Sequence, residues 1–247
     1  MVSHPGYDPN QLRERFPELV AAEKAPLLNR VTKGQYQPGL VLQPFILAYA
    51  LSQELLDLTD VTAHPNRPVL IHDTATYCAS VAPEPSLWQD SLSHRCPGPM
   101  LDLGETLTLA DLNEAFNRFK LTEQPALPLD SVAADYPPLT SAAQAAIGQD
   151  NLIVTPLQVA YAWLALNQNG RFPTLRLVSH TQTETGEWQP VEVEMNELET
   201  AVSPPLPPKS WRHCLKKRAL SNTAPSFYLG QTARPIPGIW AQRPAVK

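Results

Sequence analysis

The sequence predicts a mixed α/β or α+β domain, and three observations lead there. Two apolar segments carry helical spacing, an alternating hairpin pattern falls late in the chain, and 27 prolines against 10 glycines leave much of the rest as loop or extended segment. A chain of 247 residues can bury a sizeable core, so residues 1–247 are read as a single domain.

The first element is residues 44–58, where Phe45, Leu47, Leu51, Leu55 and Leu58 fall largely on one helical face and Pro44 suits a first turn. A mostly buried helix is expected there. The next helix has marked ends: Thr155 can cap, Pro156 fits the first helical position, and Asn169-Gly170 supplies a left-handed stop after the apolar body 157–166. Tyr161 and Trp163 on it are expected to pack in the core. Beyond it, Leu175, Leu177 and Ser179 alternate with Arg176, Val178 and His180. Thr185-Gly186-Glu187 can then turn the chain into 188–195, with Val191, Val193 and Met195 on one side, which predicts a hairpin. The proline-rich 203–208 reads as an extended connector, 210–219 as a short basic helix and 226–230 as a last strand.

Composition narrows the function classes. A hydrophobic fraction of 43% with 17% charged residues is that of a globular protein, and the net charge of −5 comes with no dense basic cluster. The best run, Arg212 to Arg218, is short, so nucleic acid is not an expected partner. No uninterrupted apolar stretch is long enough to cross a bilayer, because the best, 152–166, is broken by Thr155, Pro156 and Gln158. Cys78, Cys96 and Cys214 are too few and too scattered for a disulfide framework, and their odd number leaves at least one thiol unpaired unless it bonds another chain. His94-x-Cys96 and His213-Cys214 hold ligand types without a complete ligand set, so neither a metal nor a cofactor is expected.

Four stretches, in order, carry a resemblance. Ser3-His-Pro5-Gly-Tyr7-Asp8-Pro9-Asn10 is similar to a Ser-x-Pro-x-(Phe/Tyr)-Asp-Pro-Asn segment. Pro26-Leu-Leu-Asn29-Arg30, followed by Gly34-Gln-Tyr36-Gln-Pro38-Gly39, resembles an approach to an active serine. Ile147-Gly148-Gln149 through Val154-Thr155-Pro156-Leu157-Gln158-Val-Ala160 and the ending Asn167-Gln-Asn169-Gly170 complete the set. Together they resemble the transpeptidase domain of the penicillin-binding proteins. The resemblance implies an antiparallel sheet flanked by helices with a mostly helical subdomain. It runs from residue 2 to about 230 and implies a domain clipped at both ends.

The family's chemistry needs a serine nucleophile with a lysine three residues on, one helical turn away on the same face, to accept its proton. After Pro38-Gly39 those two positions hold Leu40 and Gln43, and no serine elsewhere has lysine three residues on. Asp111-Leu112-Asn113 best matches the Ser-x-Asn motif, with only Asn113 kept. Leu220-Ser221-Asn222-Thr223-Ala224 best matches Lys-Thr-Gly-Thr-Ala, the strand that holds a substrate carboxylate and builds part of the oxyanion site. Lysine and glycine there have become Leu220 and Asn222, leaving Asn113, Ser221 and Thr223 as candidate residual pocket contacts.

The expected function is a catalytically inactive module related to peptidoglycan synthesis. If it acts, it acts by binding cell-wall synthesis or division proteins or a peptidoglycan peptide. Two alternatives stand beside it: an active acyltransferase using another nucleophile such as Ser52 or Ser221, and a fragment without a selected role. By resemblance, family members are anchored to the membrane and work outside the cytoplasm.

Overall fold

Helix α2, Gln43–Ser52, is the element around which the molecule packs. The computed structural model describes residues 3–71, 73–191 and 200–202. Eight of the ten α2 residues, Gln43 to Ala50, are buried, as expected for a helix with apolar side chains on every face. A 3-10 turn, Gly39–Leu42, leads into it, and Pro44 sits in its first turn. The predicted helix runs on to Leu58, but the chain leaves helical geometry after Ser52, with Glu54 left-handed at φ 57°. Leu55 consequently faces solvent at 56% exposure, while Leu58 returns to the core from the following turn.

Helices α1 (Leu12–Ala21), α3 (Trp88–His94), α4 (Pro97–Thr106), α5 (Leu109–Arg118), α6 (Ala142–Ala146) and α7 (Pro156–Asn167) complete the helical part of the described residues. Helix α5 packs on α2, and α4 packs on α6. Phe45 is central: its ring lies 5.2 Å from that of Phe119, just beyond α5, and 5.7 Å from that of Trp163 on α7. Tyr161 meets Phe172 at 4.8 Å, so both aromatics of α7 pack as expected. The ends of α7 also match the expectation. The Thr155 N–H donates to Gln158 Oε1 at 2.7 Å and the Gln158 N–H to Thr155 Oγ1 at 3.3 Å; Asn169 and Gly170 turn left-handed at φ 57° and 84°.

Among the described residues the strands form three two-stranded antiparallel sheets. Strand β1 (Val61–Thr62) pairs with β4 (Ser86–Leu87), β2 (Val69–Ile71) with β3 (Thr74–Thr76), and β5 (His180–Gln182) with β6 (Trp188–Pro190). The last pair is the predicted hairpin, turned at Gly186 with φ 88°, and it starts only at His180. Residues 174–179 precede the strand, and Leu177 and Val178 are exposed, so the alternation there has no core to face. Val193, Met195, the connector 203–208, the helix 210–219 and the strand 226–230 lie outside the described residues.

Two of the three cysteines, Cys78 and Cys96, are disulfide-bonded across 18 positions of sequence, a single bridge rather than a framework. The chain between them folds back so that the Ala79 N–H donates to the His94 carbonyl at 2.8 Å, and Ser80 Oγ meets His94 Nδ1 at 2.8 Å. With helices over small antiparallel sheets, the architecture is α+β.

Candidate functional site

The stretches singled out in the sequence converge in space. Ser3 Oγ donates to the Leu28 carbonyl at 3.2 Å and accepts the Arg30 N–H at 3.1 Å, seating the opening segment on Asn29-Arg30. Tyr36 and Val154 form an antiparallel bridge, and the Leu157 N–H donates to the Val31 carbonyl at 3.1 Å. Gly39 and Gly148, left-handed at φ 57° and 70°, meet back to back, with the Gly39 N–H donating to the Gly148 carbonyl at 3.1 Å. A methyl group on Gly148 would fall 2.3 Å from the Gly39 carbonyl oxygen, so only glycine permits this approach.

Asp150 supports the same junction. Its carboxylate accepts the Thr140 N–H at 2.7 Å, the Thr140 hydroxyl at 2.8 Å and the Ser141 N–H at 2.8 Å. Burial raises the cost of the charge, yet these donors, the Ser141 N–H first, outweigh it and hold the carboxyl below the usual carboxylate range. Tyr136 is pushed up to about 12, first by burial and then by the Asp150 carboxylate.

The converging segments deliver positions 40 and 43. Leu40 lies in the 3-10 turn, half-buried and packed against the core. Gln43 opens α2 at 0% exposure, its Nε2 donating to the Cys96 carbonyl at 2.8 Å, while its Oε1 is buried with no hydrogen-bond partner among the described residues. Cys96 begins α4 as its N-cap, with Pro97 in the first turn, and its own N–H donates to the Ser91 carbonyl at 3.0 Å. The backbone facing Gln43 is therefore that of Cys96, which follows Arg95, left-handed at φ 56°.

Asp111 and Asn113 are engaged elsewhere. Asp111 closes the first turn of α5, where its carboxylate accepts the Thr108 hydroxyl at 2.6 Å and the Thr108 N–H at 2.8 Å. The Thr108 hydroxyl is also the first cause of its lowered pKa. Its other oxygen takes the Tyr49 hydroxyl at 3.2 Å. Tyr49 is six residues beyond Gln43, about 9 Å further along the helix axis. Asn113 Nδ2 donates to the Leu109 carbonyl at 2.7 Å, and its Oδ1 accepts the Tyr136 hydroxyl. Ser52, weighed above as a substitute nucleophile, donates its hydroxyl to the Tyr49 carbonyl at 2.7 Å. Leu220, Ser221, Asn222 and Thr223 lie outside the described residues. Among the described residues no cluster of histidine, cysteine and carboxylate groups could hold a metal ion, and no helix is long and apolar enough to cross a membrane.

The sequence matches the penicillin binding protein transpeptidase domain over residues 1–203. The chain belongs to that family. No curated protein matches the sequence. Among solved structures, penicillin-binding protein A from M. tuberculosis, an imipenem acyl-enzyme complex, is 24% identical with a TM-score of 0.69, over 88% of this chain and 53% of that one. Pseudomonas aeruginosa PBP2, in complex with WCK 5153, is 20% identical with a TM-score of 0.67, over 88% and 52%. The D,D-transpeptidase domain of a peptidoglycan glycosyltransferase from Eggerthella lenta is 18% identical with a TM-score of 0.68, over 88% and 56%. The chain thus spans about half the length of the structures it matches.

By the resemblance of the approach at 34–39, Leu40 and Gln43 are the residues read as standing at the family's serine and lysine positions. What sequence reasoning missed is the contact of Gln43 with the Cys96 carbonyl, since the sequence presents Cys96 only for disulfide and metal chemistry. A proline directly after a buried cysteine, where α4 begins, was the local signal available.

Proposed function

We propose that this chain is a transpeptidase-like module of peptidoglycan synthesis that acts by binding rather than by acyl transfer. Its partner is a protein of wall synthesis or division, or a peptidoglycan peptide. One observation supports this reading: Leu40, matched by resemblance to the nucleophile's position, is an apolar side chain packed on the core, and Gln43, matched to the base's, is a buried amide bonded to a backbone carbonyl. Leucine offers no atom to acylate, and a neutral amide is no general base. In a serine hydrolase, losing the nucleophile costs on the order of a millionfold in turnover, and removing its base as well adds little, because the two act as a unit.

The test is intact-protein mass after incubation with excess benzylpenicillin, with near-ultraviolet circular dichroism showing that the sample is folded. The expected result is an unchanged mass. A stable increase of one penicilloyl group would overturn the reading, and peptide mapping would then locate the nucleophile.

A further inference from the structure

We infer that β3, Thr74–Thr76, is a docking edge for a second copy of this chain: it pairs antiparallel with itself, about a two-fold axis at Ala75, to make a four-stranded sheet. The two faces of the β2–β3 ribbon carry the argument. On one, Val69 is buried, Ile71 is half-buried and packed on the core, and Thr76 is half-buried, so this face covers the main body. The other holds the cross-strand pair Leu70 and Ala75, both exposed, Leu70 at 70%. By alternation Pro68 and Tyr77 continue it, and both are exposed, Tyr77 at 62%. An antiparallel ribbon with one face on a core ordinarily turns polar side chains to water on the other. Here the outward face is apolar from Pro68 and Tyr77 up to the turn at Asp73, and an apolar face of that kind marks a contact surface.

The edge of β3 is open as well. Only positions 72 and 73 separate Ile71 from Thr74, so that pair is the hydrogen-bonded one that closes a two-residue hairpin, and Leu70 with Ala75 is a non-bonded pair. The Ala75 N–H and carbonyl therefore point away from β2, and among the described residues no backbone group bonds to them. Nor does Thr74-Ala75-Thr76-Tyr77 hold the lysine or proline that guards an exposed edge.

Charge selects a second copy and the antiparallel sense. A two-fold axis sets a patch against itself, so the patch must be free of charge where the axis passes. Thr74, Ala75 and Thr76 carry none. With Ala75 on the axis, its N–H donates to the carbonyl of Ala75 of the second copy and receives the same in return, while Thr74 lies opposite the other copy's Thr76, a favourable cross-strand pair. The two ends of the ribbon bear opposite charges. Asp73 stands exposed at the turn, and Arg67, which also meets Asp102, stands at the open end. Antiparallel pairing brings the Asp73 end of one ribbon toward the Arg67 end of the other, whereas parallel pairing would set Asp73 beside Asp73. The row of Leu70 and Ala75 then runs across all four strands as one apolar face.

The test is sedimentation velocity of the full chain over a range of concentrations, where a monomer–dimer equilibrium is expected. Leu70→Asp should weaken the dimer on the order of a hundredfold, since each dimer carries the change twice. Ala75→Pro, which removes only an outward N–H, should weaken it too while the near-ultraviolet circular dichroism stays that of the parent. Ala75→Cys should join two copies under mild oxidation, because the Cα atoms of a hydrogen-bonded pair lie about 5.5 Å apart, within the span of a disulfide. Peptide mapping should then find position 75 linked to position 75. A chain that is monomeric at every concentration, a dimer that Leu70→Asp leaves intact, or linkage of position 75 to Cys214 instead would overturn the proposal. So would a monomer whose Ala75 amide exchanges slowly, which would show that another part of this chain lies along the edge. None of these readouts depends on whether penicillin labels the protein, so the two proposals fail separately.

Discussion

At Asp150 a single carboxylate gathers three donors from Thr140 and Ser141 and fixes the turn beside the Gly39–Gly148 contact. Replacing it with alanine leaves the N–H groups of Thr140 and Ser141 without their charged acceptor. The expected cost is on the order of 3 kcal/mol of unfolding free energy, read from urea denaturation at neutral pH. The carboxyl titrates below its usual range in the folded chain, so the unfolded state binds its proton first as the pH falls. Its contribution is therefore complete above the unfolded carboxylate pKa near 4, and is lost as the pH drops through the folded value. Asp150→Asn should flatten the stability curve below about pH 4 relative to the parent chain. An unchanged acid limb would show that the carboxylate adds nothing there.

Helix α7 can be tested as an element, because its first turn is also a tertiary contact. Gln158 accepts from Thr155, and its Nε2 donates to the carbonyls of Leu121 at 3.1 Å and Glu123 at 2.7 Å. Thr155→Ala should cost about 1 kcal/mol as the loss of a cap. Gln158→Leu should cost more, about 2 to 3 kcal/mol, because it strands buried carbonyls as well. Since the two side chains touch, the double variant should fall short of the sum, and additive losses in chemical denaturation would break the link between cap and contact.

The contrast between α7 and its neighbours shows what the sequence could reveal. Cap, body and stop of α7 lie within one stretch of local signals, and so do the turn of the β5–β6 hairpin and the glycines at 39 and 148. Helix α4 begins Pro97-Gly98-Pro99, which reads as loop until tertiary burial outweighs propensity. Strand β1 is two residues long and pairs with Leu87 and Ser86, far along the chain, so no local pattern marks it. In α5, the sequence reading takes Asp111 only as part of a degenerate Ser-x-Asn motif, whereas the fold uses it in a capping box with Thr108. At the site, the identities at positions 40 and 43 were plain from the sequence, whereas the backbone facing Gln43 needed the fold.

Over the whole molecule, α2 joins the stretches that approach position 40 to the helical core. Phe45 meets Phe119 and Trp163, and Tyr49 meets Asp111 and lies under the Arg118 guanidinium at 5.4 Å. Gln43 is part of that core, at 0% exposure with the Cys96 carbonyl as its bonded partner. Rebuilding the family pair as Leu40→Ser with Gln43→Lys therefore places an ammonium where no carboxylate is bonded to Gln43. Burial of this kind lowers a lysine pKa by up to several units. The double variant should lose about 3 kcal/mol at neutral pH, the scale expected for an uncompensated buried charge. Below the unfolded lysine pKa, near 10.4, the unfolded chain holds a proton that the folded one resists. The deficit should thus shrink as the pH rises toward that value, which urea titrations from pH 7 to 10 can follow. With position 40 packed against the core and the new amine held at the Cys96 carbonyl, benzylpenicillin should add no mass to this variant. A double variant as stable as its parent that takes up a penicilloyl group would mean that a β-lactam can still reach position 40, and that only two side chains separate the chain from acylation.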